Sequence, residues 1–264
     1  AIAGSRENWD HEVDILVAGF GLAACSAAIQ AIDTDPGAKV LMVEKAAFPR
    51  EKVCGDGLTP RAVVQLRRLG IDTDDPRFER HGGLRIYSRR VTMELPWPDL
   101  DDFPPFGLMM TRSEFDELLA RHAEKAGARL MERTEAVAPI QDDGWVTGAR
   151  IKSEQDDAET TVRARFVIAA DGSSSRFASR AGVRRDPAKP LGIAARRYYK
   201  VERRPGPWLE VWMDLHEGDT ILPGYGWLFP LADGSINVGA GLLNTFRDFK
   251  DLSAQRVFDA FWRM

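Results

Sequence analysis

The chain has 264 residues, 44% hydrophobic and 29% charged, with a formal net charge of −4 and an isoelectric point of about 5.7. This composition is that of an ordinary globular protein, long enough for one large domain or two interleaved ones. It lacks the basic balance of a nucleic-acid binder, and no apolar run reaches the ~18 residues of a membrane-spanning helix. The two cysteines, Cys25 and Cys54, are too few for a disulfide scaffold or a Cys-rich zinc site and suit a reducing compartment.

The first predicted elements form a βαβ unit. Val13–Ala18 is a short apolar run, as in a buried parallel strand. Gly19-Phe20-Gly21 follows as a turn, Leu22–Ile32 favours a helix, and Lys39–Glu44 is a second strand. Thr59-Pro60 starts a helix that stops at Gly70. Leu84–Ser88 and Val91–Leu95 read as a hairpin, and the proline-rich 97–106 as loop or edge. Ser113-x-x-Asp116 resembles a capping box for a helix ending at Gly127. Glu135–Ile140, Trp145–Lys152 and Thr160–Arg165 read as a three-stranded meander, and Phe166–Ala170 as a further buried strand ending on Asp171-Gly172. The run from Gly192 to Ala240 is strand-rich and aromatic. Pieces of two sheets alternate along the chain, which predicts two domains that exchange segments.

The turn Gly19-Phe20-Gly21-Leu22-Ala23-Ala24 has the form G-x-G-x-x-A. The first Gly allows a tight turn, the second lets a pyrophosphate approach the backbone, and the small Ala24 permits close helix–strand packing. The anion would rest on the helix N-terminus. Glu44, twenty residues beyond Ala24, is placed to accept ribose hydroxyls, which favours FAD or NAD over NADP. No metal site is expected, since His11, His81, His122 and His216 have no ligand-like spacing. The basic pairs Arg196-Arg197 and Arg203-Arg204 read as a solvated face, or as a contact to an anionic membrane surface.

Two further stretches carry a family resemblance. Pro49-Arg50-x-Lys52-x-Cys54-Gly55-Asp56-Gly57-Leu58-Thr59-Pro60-Arg61-Ala62 is one. Tyr225-x-Trp227-x-Phe229-Pro230, followed after eight intervening residues by Gly239-x-Gly241, is the other. With them the chain resembles the FAD-dependent geranylgeranyl reductases, and within these the actinobacterial menaquinone-reductase type. Asp171-Gly172 resembles the second fingerprint of the aromatic-hydroxylase flavoprotein fold. The fold this implies is α/β: a Rossmann-like FAD-binding domain with a three-stranded meander over 10–82 and 111–183, interleaved with an antiparallel-sheet substrate domain over 83–110 and 184–264.

The resemblance also implies roles for residues. Gly19, Gly21, the backbone around Ala24, Glu44 and Lys45 would hold the ADP half of FAD. Cys54, Gly55 and Gly57 would line the cofactor, with Cys54 as a proton donor in catalysis. Arg112 would reach its phosphate or ribose side, Ala136 the adenine, and Asp171 would order the site nearby. Tyr225, Trp227 and Phe229 would wall a lipid pocket. Read as residues alone, Cys54 is equally a small buried side chain, Arg112 a surface cation, and one or two of the aromatics plain core.

The implied reaction is reduction of isolated C=C bonds in a polyprenyl chain by hydride from reduced FAD. The donor would be NADPH or a ferredoxin-type protein, and the location cytoplasmic with peripheral contact to the inner face of the cell membrane. The alternatives are a flavin-dependent aromatic hydroxylase using NADPH and O2, or a non-catalytic prenyl-lipid-binding fragment. Two features depart from the family pattern. The glycine turn continues Leu22-Ala23-Ala24 where Pro and a third Gly are usual. A late Gly-Asp flavin motif has no counterpart here, and Ser253–Arg263 is amphipathic with no stop signal, so the chain is expected to continue past Met264.

Overall fold

The computed structural model describes residues 9–202, 206–246 and 249–264. The chain divides into two compact units, 1–50 with 113–185, and 51–112 with 186–264.

In the first unit a six-stranded sheet runs in the order Arg129–Glu132, Val40–Glu44, His11–Ala18, Glu159–Ala169, Trp145–Ser153, Thr134–Asp142. The first four strands are parallel and the last two antiparallel. Val40–Glu44 is buried throughout, as a strand covered on both faces must be. The meander predicted from the sequence is present, with one difference. Thr160–Arg165 and Phe166–Ala170 are not separate strands but one strand, Glu159–Ala169. Glu159–Arg163 closes the meander, and Val162–Ala169 pairs with His11–Ala18. The helix Leu22–Thr34 buries Ala24, Cys25, Ala28, Ile29 and Ile32.

The register decides where this unit's loops emerge. Ala18 lies opposite both Val43 and Ala169, so the Gly19 turn, the Glu44 strand end and the Asp171 turn all leave the sheet at the carboxyl ends of neighbouring parallel strands. That is where open α/β sheets bind ligands.

The second unit carries another six-stranded sheet, ordered Gly192–Lys200, Ser235–Leu243, Tyr225–Pro230, Leu209–Trp212, Gly83–Ser88, Val91–Pro96. It is antiparallel except for one parallel pair, Leu209–Trp212 with Gly83–Ser88. The sequence division drew its first boundary after residue 82, whereas packing draws it after Arg50. The reason is that Gly57–Leu58 and Glu79–His81 both pair with Gly107–Met109 in a small sheet of this unit.

Alternation sorts the large sheet into two faces. Ile236, Val238, Ala240 and Leu242 form a core with Val257, Phe258 and Phe261 of the helix Ala254–Trp262. The other face of the three outer strands shows three cross-strand rows. They are Ala194–Gly241–Tyr225, Arg196–Gly239–Trp227 and Tyr198–Asn237–Phe229. Among the described residues no helix is long and apolar enough to cross a membrane.

Candidate active site

Two groups of residues stand out, one in each unit. In the first, Gly19 has φ +94, and a Cβ there would meet Ala170 O and Asp171 Cα at 2.6 Å. Only glycine combines that backbone with that approach. Gly21 caps the helix Leu22–Thr34 with no side-chain hydrogen bond, and a Cβ on it would meet nothing within 4 Å. The space above the helix N-terminus is thus open, and Ala24 is buried against the sheet. Asp171 accepts hydrogen bonds from Ser175 Oγ and, at 3.2 Å, from Phe177 N, so it shapes the turn that packs on Gly19.

Glu44 is 6% exposed at the end of its strand. Its Oε1 accepts the Ala46 N–H at 3.0 Å, and Oε2 lies 3.3 Å from Arg50 Nε. Each oxygen retains a lone pair for a hydroxyl donor. Arg50 also pairs with buried Asp116 at 3.0 Å and donates to Phe20 O, inside the glycine turn, at 2.6 Å. Asp116 therefore pairs with Arg50 rather than serving as the end of a capping box, and the helix starts at Arg112. Lys45 is exposed. Ala136 packs its side chain on the sheet core, which leaves its backbone as the part able to meet a ligand.

In the second unit the segment carrying Cys54, Gly55, Asp56 and Gly57 lies on the aromatic face of the sheet. A Cβ on Gly55 would stand 3.4 Å from Phe229 and 3.7 Å from Trp227 Nε1, and one on Gly57 3.4 Å from Met109 Sδ. Both positions thus sit in ordinary van der Waals contact with that face. Tyr225, Trp227 and Phe229 form a row with ring centroids 5.6 and 6.2 Å apart. Trp227 is only 4% exposed, while Tyr225 is 43% exposed. The Tyr225 phenol is pushed above its ordinary range by partial burial, with Cys54 adding to the effect. Gly239 now has a physical reason. Gly239 is the cross-strand partner of Trp227, and a Cβ there would fall 2.0 Å from the indole Cζ2.

Beneath this loop runs a buried polar chain. Trp227 Nε1 donates to Asn237 Oδ1 at 2.9 Å. Asn237 Nδ2 donates to Cys54 O at 2.9 Å and to Asp56 Oδ2 at 2.8 Å. Tyr198 Oη donates to the same oxygen at 2.6 Å. Asp56 is 3% exposed and has φ +66. Burial raises its pKa above the ordinary carboxylate range, against hydrogen bonds from Tyr198 and Asn237 and the charge of Arg196. The Tyr198 phenol is likewise pushed up, by burial first and then by Asp56.

Arg196 does not belong to a solvated face. Its guanidinium pairs with Glu51, donates to Lys52 O at 3.0 Å and lies 4.0 Å from the Tyr198 ring centre. Arg203 and Arg204 lie outside the described residues. Arg112 is buried at the start of its helix, not a surface cation.

Sequence reasoning missed Arg50, Asp56, Tyr198 and Asn237 as site residues. Arg50 and Asp56 sat inside a motif already singled out. Asn237 carried its own signal, a strand-disfavoured residue in period-2 register with Gly239 and Gly241. Tyr198 carried none.

The fold is that of an FAD-binding flavoprotein. The FAD binding domain family matches residues 12–220, and the chain belongs to that family. It is 38% identical over 245 residues to the menaquinone reductase of Mycobacterium tuberculosis, covering 92% of this chain and 58% of that protein. It is 33% identical over 233 residues to a digeranylgeranylglycerophospholipid reductase of Methanosarcina acetivorans, covering 87% and 54%. The chain thus spans somewhat over half the length of the curated relatives it matches. Among solved structures, a geranylgeranyl bacteriochlorophyll reductase-like protein from Thermoplasma acidophilum superposes with a TM-score of 0.76 at 29% identity, over 95% of this chain and 61% of that one. A myxobacterial FAD-dependent halogenase, TM-score 0.73 at 22% identity over 96% and 57%, shares the fold alone.

The cofactor of the family is FAD, and the cradle fits it. Gly21 leaves open the space that a pyrophosphate needs over an uncapped helix N-terminus, and Glu44 presents acceptors one strand away.

Proposed function

We propose that the chain is the FAD-binding and substrate-binding part of a reductase that saturates isolated C=C bonds of a polyprenyl chain of the menaquinone type. One observation carries the reading. The segment holding Cys54 lies on the row Tyr225–Trp227–Phe229, within one unit, so a cysteine stands beside an aromatic surface. The names of the reductase relatives support the same substrate class.

An unactivated alkene offers no carbonyl to polarise. The protein must therefore align it, keep water away and supply a proton. When bound and reduced, FAD would supply hydride for one alkene carbon. Gly19, Gly21 and Ala24 would hold its pyrophosphate, and Glu44 its ribose, with Arg50 fixing that carboxylate; Lys45 and the backbone at Ala136 would complete the ADP side. Cys54 gives a proton to the second alkene carbon and regains one from water. Gly55 and Gly57 would line the cofactor, Arg112 would reach its phosphate or ribose side, and Asp171 would order the glycine turn. Tyr225 and Phe229 hold the prenyl chain, and Trp227 closes the surface beneath them. An NADPH or ferredoxin-type donor would keep the cofactor reduced, and peripheral contact with the membrane would deliver the substrate.

The test is Cys54→Ala with FAD content measured alongside. Loss of the proton donor is expected to slow reduction ~100-fold or more with normal flavin content. Unchanged reduction would remove the thiol from the mechanism.

A further inference from the structure

We propose that Asn237 and Asp56 are positioning residues that lock the Cys54 backbone and the Trp227 indole into one rigid piece. The proposal rests on the reductase reading above for its consequence, but not for its geometry.

Asn237 is the hinge-pin of the arrangement. It is fully buried and divides its amide between two motifs. Its oxygen accepts the Trp227 indole N–H at 2.9 Å, and its nitrogen donates to Cys54 O at 2.9 Å. A second bond from the same nitrogen, 2.8 Å to Asp56 Oδ2, ties in the residue two beyond Cys54. Asp56 is in turn anchored to the neighbouring strand by Tyr198 at 2.6 Å.

The loop therefore meets the sheet through three consecutive fixed points. They are Arg196 on Glu51 and Lys52 O, Asn237 on Cys54 O, and Tyr198 with Asn237 on Asp56. A buried network of this kind specifies one arrangement because each alternative leaves a polar group without its partner. The Cys54 backbone and the wall against which a prenyl chain would lie thus cannot shift independently. A proton donor displaced by about 1 Å loses its alignment with the reacting carbon.

The experiment uses the full chain with FAD and two readouts, alkylation of Cys54 by iodoacetamide followed on its peptide, and steady-state reduction of a menaquinone. Cys25 is fully buried and serves as the internal control for unfolding. Asn237→Leu keeps the volume and removes all three bonds. It is expected to raise the Cys54 alkylation rate about tenfold, the factor set by a lost buried hydrogen bond, with Cys25 still protected, and to lower kcat far more than it raises KM.

Asp56→Asn, which retains an acceptor for Tyr198 and Asn237, is expected to stay close to the parent in alkylation rate. Should Asn237→Leu fail to fold, Tyr198→Phe loosens the same loop by one bond and is expected to speed alkylation by a smaller factor. Parent-like alkylation in both Asn237→Leu and Tyr198→Phe overturns the clamp, whatever the activity. Faster alkylation in a protein that reduces no prenyl substrate supports the clamp and overturns the reductase reading instead.

Discussion

Replacing Gly239 by alanine tests the geometry of the aromatic face most sharply. The added Cβ would lie 2.0 Å from Trp227 Cζ2 and 2.4 Å from Cε2, where carbon atoms rest at about 3.5 Å. The indole must then move by about 1.5 Å, which is enough to break its 2.9 Å bond to Asn237. Overpacking costs about 1–3 kcal/mol, and leaving buried partners unsatisfied about 1–3 kcal/mol more. The expected destabilisation is the sum, roughly 2–6 kcal/mol. Gly241→Ala is the control. Its Cβ would meet Ile193 O at 3.1 Å, Ala194 Cβ at 3.3 Å and Trp227 only at 3.7 Å, so it should cost about 1 kcal/mol or less. Urea unfolding followed by far-ultraviolet circular dichroism gives both values, and the near-ultraviolet tryptophan signal reports the ring. Equal stability of the two variants would refute the claim that Gly239 exists to seat Trp227.

Arg50→Met removes the cation shared by Glu44, Asp116 and the Phe20 carbonyl. Breaking a buried pair from one side costs about 3–5 kcal/mol, to be read by denaturant unfolding. Gly19→Ala places a Cβ 2.6 Å from backbone atoms at φ +94, so the purified protein should carry a much lower flavin-to-protein ratio than the parent; an unchanged ratio would count against the cradle. His81, 1% exposed, donates from Nε2 to Leu58 O and accepts from the Trp97 indole at Nδ1. Burial lowers its pKa from 6.5 to about 4. The unfolded chain therefore binds the extra proton between those values, and stability present above pH 6.5 declines as pH falls towards 4. The loss is about 3 kcal/mol in all, and an acid limb of the same slope in His81→Asn would show that another group causes it.

Much of this was legible in the sequence because local chemistry and global fold agree there. The glycine turn, the apolar strands beside it and Glu44 follow from periodicity and spacing alone. What periodicity could not reveal was pairing at long range. Glu159–Ala169 read as two strands because Thr160–Arg165 alternates in polarity while Phe166–Ala169 is uniformly apolar, although one parallel neighbour runs beside Val162–Ala169. Arg50 looked like one more charge in a motif, since its partners Glu44 and Asp116 lie 6 and 66 residues away. The chain from Trp227 through Asn237 and Asp56 to Tyr198 joins residues up to 181 positions apart, and no local pattern marks Tyr198 as part of it. Gly239 was visible at once as part of a motif, but its cause, the ring of Trp227 lying over it, needed the register of two strands.

The most direct measurement of the central claim is anaerobic incubation of the FAD-loaded, chemically reduced protein with a menaquinone, followed by mass spectrometry of the extracted quinone. The account predicts a product heavier by two hydrogens in its prenyl tail, formed as the flavin reoxidises. A flavin that stays reduced, beside a menaquinone whose tail gains no hydrogen, would contradict it.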